Sequence, residues 1–157
     1  MNGVQVGSTT TFPNFSFTPV GVAVGVNANL FGTSTDIFNG YISDLRVTTG
    51  TALYTNNFVP PVAPLTATQN TVLLNNFTNA AIADYSTMNN LETVGDAKIS
   101  TAVSKFGGSS MFFDGTTDYL FTPHSPSIDI GGGDFTVECW IYSTNISGLQ
   151  YQNILFK

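Results

Sequence analysis

The chain has 157 residues, room for one compact domain, and a net charge of −6. Its four basic residues, Arg46, Lys98, Lys105 and Lys157, are scattered, which argues against a phosphate backbone or an anionic membrane surface as partner. Charged residues make up only 9% and hydrophobic ones 42%, so the polar surface has to come from Thr, Ser, Asn and Gly, the composition of a β protein.

In chain order, strand signals recur and helical periodicity is nearly absent. Asn2-Gly3 is a tight-turn pair, and Gly3–Ser8 alternates around Val4 and Val6. Pro19–Val26 sets valine at every second position, which predicts a strand with one buried face. A Gly/Asn/Ser/Thr loop over 27–36 leads into a long strand, Ile37–Thr48, with Ile42, Leu45 and Val47 as core candidates. Pro60, Pro61 and Pro64 make 49–68 an extended connector or rim segment. Thr71–Phe77 is the next strand, centred on Val72, Leu73 and Leu74, and Ile82–Ala97 reads as mostly turn and loop. Ser109–Phe113 and Tyr119–Phe121 flank an Asp114-Gly115 turn, Asp134–Ser143 is a long alternating strand, and Asn153–Lys157 starts a final one. Short strands with turn signals every few residues predict an antiparallel two-sheet sandwich, or jelly roll, over 1–157.

No apolar run approaches the roughly 18–20 residues of a membrane helix. The start carries neither a basic stretch nor an apolar core of the signal-peptide type. Cys139 stands alone, so no intrachain disulfide forms, and its apolar surroundings predict a buried thiol.

Several segments resemble a known family. Lys105-Phe-Gly-Gly-Ser-Ser-Met-Phe-Phe-Asp-Gly-Thr-Thr-Asp-Tyr-Leu, then Pro123, Ser127–Ile130 and Asp134-Phe-Thr-Val-Glu-Cys-Trp-Ile-Tyr, look like the first half of a laminin G-like, concanavalin A-like jelly roll. Gly3–Ser8 and Phe38-Asn-Gly-Tyr-Ile-Ser-Asp-Leu-Arg-Val-Thr resemble its second half. Thr51-Ala-Leu-Tyr-Thr and Phe58-Val-Pro-Pro are similar to versions in bacteriophage tail or fibre proteins. The order is exchanged: 1–62 resembles the C-terminal half of the module, 63–80 holds a connector and one strand, and 81–157 resembles the N-terminal half. The two ends look like mid-strand entry and exit. The chain is then either a window across two tandem modules or a permuted module whose halves pack together. The family's middle strands have no counterpart, so an intramolecular sandwich exposes a sheet edge. Strands supplied by a neighbouring copy would repair it, which predicts a homo-oligomer or strand exchange.

Candidate chemistry is sparse. Glucanases of this fold class need two carboxylates about 5–9.5 Å apart. Glu92 and Glu138 are the only glutamates, and the acidic triple of the glucanase relatives is missing. His124 is the sole histidine and sits between prolines, without an evident partner for nucleophilic or zinc chemistry. No catalytic residue and no cofactor other than calcium is therefore expected. The resemblance places calcium at the sandwich rim, on Asn27, Asn29 and Asp36. A second acidic pair, Asp114 and Asp118, flanks the Asp-Gly turn, where turn chemistry alone also explains it. For a sugar ligand, loop aromatics and amides point to Phe31, Tyr54 and Asn56, with Tyr85 and Tyr151 as further aromatics.

The expectation is a non-catalytic, extracellular or virion-associated module that adheres to a surface glycan or protein. A self-assembling architectural unit is the alternative, and a glycoside hydrolase of the same fold is a third. No nucleic acid and no membrane insertion is expected.

Overall fold

A computed structural model describes residues 2–7, 21–27, 36–77, 82–86, 89–130, 132–145 and 152–156. The architecture is nearly all β: two antiparallel sheets face each other around one main core. Nine strands are present among the described residues: β1 Gly21–Val24, β2 Asn39–Thr49, β3 Thr71–Asn75, β4 Glu92–Val94, β5 Lys98–Ser100, β6 Ser110–Asp114, β7 Tyr119–Pro123, β8 Phe135–Ser143 and β9 Leu155–Phe156.

The smaller sheet has the order β4-β7-β1-β9. The larger one is organised by β2. Tyr41 pairs with Phe112 of β6 on one side and Tyr142 of β8 on the other, while Val47 pairs with Leu73 of β3 and Val137 of β8. Thus β8 runs along one whole flank of β2, and β6 and β3 share the other flank end to end, with β5 outside β6. Both sheets mix strands from 1–62 and 81–157, since β1 pairs with β7 and β9, and β2 pairs with β6 and β8.

The hand-over from β6 to β3 falls where the β2–β8 register shifts, between Ser43 and Arg46. A β-bulge inserts a residue and resets the alternation. This is why Ile42, Leu45 and Val47 all enter the same core despite the odd spacing between the first two. Asp44 supplies the kink at φ 53° and is buried, with its carboxylate accepting from Leu65 N–H and Asn76 Nδ2.

The core between the sheets gathers Val22, Val24 and Leu120 against Phe38, Ile42, Leu45, Val47, Met111 and Phe113. Phe38 and Phe113 meet edge to face, 6.0 Å between centroids. Gly40 has no room for a side chain: a Cβ there would stand 2.2 Å from the Tyr142 carbonyl oxygen.

Two expectations need correction. Residues 2–7 form a turn and an irregular stretch rather than a strand, with Val4 and Val6 exposed. They are held by Phe58 N–H on the Gly3 carbonyl and Gln5 N–H on Asn57 Oδ1, which offers the valines nothing to bury against. β1 is buried on both faces, because Ala23 and Val26 seed a small second cluster with Ile37, Tyr119 and Phe156. The described part of 82–97 is mostly turn and loop, as expected, and contains β4, three residues without a buried side chain, whose place comes from pairing with β7 rather than from periodicity.

Candidate functional site: a neutral cleft beside Tyr85

A shallow cleft of about 620 Å³ lies where the end of β2, the start of β3 and two loops meet. Its lining includes Thr49, Thr68, Asn70, Thr71, Ser86 and Ser127, with Val72 and Tyr85 as apolar bodies. None of the described lining residues is charged. Tyr85 is 44% exposed, so part of its ring is open to solvent.

Local structure explains why these side chains converge. Asn70, at φ 67°, turns the connector back so that Thr49 N–H reaches its carbonyl, and Thr68 N–H donates to Thr71 Oγ1. On the other wall, buried Asp84 organises the loop. Its Oδ1 accepts from Leu74 N–H at 2.8 Å and Ser86 N–H at 2.9 Å, and its Oδ2 from Ser86 Oγ at 2.7 Å and Asn89 N–H at 3.0 Å. Tyr85 N–H donates to the Leu74 carbonyl at 2.7 Å, which pins the tyrosine to β3. A carboxylate that accepts this many bonds acts as a positioning group for the ring beside it. No sequence signal singles out Asp84, because its partners come from β3 and from Asn89 across a turn.

The other proposed ligand residues lie elsewhere. Phe31 and Tyr151 are outside the described residues. Tyr54 stacks on Phe58 at 3.7 Å, and its hydroxyl donates to Glu138 Oε2 at 2.8 Å. Burial is the main cause that raises the Tyr54 phenol above its ordinary pKa, followed by the hydrogen bond to Glu138. Asn56 is exposed, with its Nδ2 near Thr55 Oγ1. A second set of aromatics crosses the outer face of the large sheet: Phe112, Tyr41 and Tyr142 lie 5.0 and 6.1 Å apart in sequence, tilted rather than coplanar.

For the proposed cation residues, Asn27 and Asp36 are half-buried, and Asn29 lies outside the described residues. Asp114 and Asp118 do come together, and Asp96 joins them: each offers a carboxylate oxygen, all within 4.8 Å. Both oxygens of buried Asp118 accept backbone N–H groups, from Asp96 and from Asp114, at 2.9 Å. The cluster thus clamps two turns together. Burial is the largest influence on Asp118 and raises its pKa, whereas Thr116 hydrogen bonds lower that of Asp114. Calcium takes six to eight oxygens, so three carboxylates would have to be completed by carbonyls and water. Cys139 is half-buried against the core, and burial raises its thiol to about 11.

Comparison with family models, with curated proteins and with solved structures finds no match.

Proposed function

We propose that the protein is a non-catalytic binding module of laminin G-like type, displayed outside the cell or on a virion, whose cleft beside Tyr85 takes a neutral segment of a surface glycan. The cleft carries this reading. A sugar ring offers one apolar face and a rim of hydroxyls, so it is held by an aromatic side chain together with neutral donors and acceptors. Tyr85 with the surrounding threonine, serine and asparagine groups supplies that combination without a charge. Two acidic groups elsewhere have structural employment: Glu138 is bound by Arg46 and Tyr54, and Asp118 by two backbone amides.

A glycan array probed with the intact chain tests this. Binding to neutral oligosaccharides that Tyr85→Ala abolishes, with its thermal melt unchanged, supports the cleft. Silence across the array, or binding that survives Tyr85→Ala, rejects it. The architectural reading is favoured by a different observation, the open edge of β8.

A further inference from the structure

Among the described residues the sandwich is open along β8. Phe135, Val137 and Ile141 lie on the core-facing side of their strand: Val137 pairs with Val47 and Ile141 with Ile42. Val47 and Ile42 are 1% and 0% exposed, yet Val137, Phe135 and Ile141 are 36, 43 and 49% exposed. In a closed sandwich the side chains of the inner face are the covered ones. Here the core covers the inner face of β2, while β8 contributes the half-buried Cys139 to it. Among the described residues β8 pairs only with β2, so its other flank is a sheet edge nine residues long.

Such edges are usually blunted by lysine, proline or an inward-pointing charge. β8 has none of these. Its single charged residue, Glu138, is on the outer face and paired with Arg46. The edge is neutral, long and apolar on one side.

We propose that a second copy of this chain occupies it, with the two β8 strands antiparallel about a two-fold axis that passes between the two Cys139 residues. Register follows from backbone parity and charge. Thr144 N–H donates to the Asn39 carbonyl across the β2–β8 pair. At that end of β8, even-numbered residues therefore turn their backbone groups toward β2 and odd-numbered ones turn theirs outward. Centring on Cys139 uses the outward groups and pairs all nine residues. Phe135 of one copy opposes Ser143 of the other, and Val137 opposes Ile141 twice over. Glu138 then lies opposite Trp140. Centring on Glu138 would instead set two like charges side by side, which is unfavourable. Centring on Trp140 would set Val137 against Ser143 and lose the apolar match. The chosen register joins the two exposed apolar strips into one, and it does not depend on what the Tyr85 cleft binds.

Light scattering of the intact chain at tens of micromolar should give twice the 16.7 kDa of one copy. Ile141→Lys should return it to the monomer mass, and so should Phe135→Lys. Both positions are too exposed for lysine to prevent folding, which circular dichroism checks. Directly opposed residues of a hydrogen-bonded pair have Cα atoms about 5.5 Å apart, within disulfide reach. Copper-phenanthroline oxidation of the wild type should therefore give a Cys139-linked dimer on a non-reducing gel. A wild-type monomer, a dimer that both lysine variants retain, or a dimer that resists bridging at Cys139 would each overturn the proposal.

Discussion

Arg46 and Glu138 face each other across β2 and β8 and form an ion pair in which both side chains are largely buried. Arg46 Nε donates to Glu138 Oε1 at 2.6 Å, Arg46 Nη1 donates to the Thr66 carbonyl at 2.7 Å, and Tyr54 covers the other carboxylate oxygen. One interaction thus ties the two longest strands to the proline-rich connector. Removing one partner of a buried pair leaves the other charged and unsatisfied, which costs about 3–5 kcal/mol. Glu138→Ala should lower stability by about that amount in urea denaturation, and Tyr54→Phe by about 1 kcal/mol. An unchanged midpoint for Glu138→Ala would mean that Arg46 finds solvent instead.

Asp44 contributes to the response to acid. Burial is the main cause that raises its carboxyl above 3.8, outweighing the bonds from Asn76 and Leu65. The native state therefore holds this proton more tightly than the unfolded state does. The contribution of this group to stability is greatest below 3.8 and declines as pH rises through the folded value. Asp44→Asn keeps an acceptor for Leu65 N–H and suits the left-handed backbone, so it should fold and lose that part of the slope. Asp44→Ala should cost about 2–4 kcal/mol, because two donors lose their partner at a positive φ. Melting curves from pH 3 to 7 separate these outcomes. An identical slope in Asp44→Asn would show that another carboxyl is responsible.

Thr48 is a flaw in the sheet. It is wholly buried at the end of β2 beneath the connector, and its hydroxyl has no hydrogen-bond partner. Thr48→Val has nearly the same shape and removes the stranded polar atom. It should raise stability by about 1 kcal/mol. A loss of stability on calorimetry would indicate a water held at that hydroxyl.

Much of the fold was legible because the core is built by alternation. Ile42, Leu45 and Val47 were expected in the core and are buried, and Val72, Leu73 and Leu74, expected at the centre of a strand, lie in β3. Their strands were readable to within a residue or two. What alternation could not reveal is which elements become neighbours. Ile42 and Leu45 fit one face only because Asp44 bulges, and a bulge has no strong signature when its residue is aspartate. Strand β8 reads as an alternating strand in sequence, yet three of its inward residues, Phe135, Val137 and Ile141, are exposed, since burial depends on what faces them. Site geometry was least legible. Asp96 stands well away in sequence from Asp114 and Asp118, and Tyr85 gains meaning only when the ends of β2 and β3 bring Thr49 and Thr71 beside it.

The interleaving of the strands has a consequence for integrity. Val59 and Val62 project from the proline-rich span at 85% and 86% exposure. A protease that cut the backbone between them and Leu65 would sever no strand. The two pieces would still share both sheets, with β1 and β2 on one fragment clasped by β6, β7, β8 and β9 on the other. Such a nicked molecule would migrate as two bands under denaturing conditions and as a single body in native buffer, and separately produced halves should reassemble.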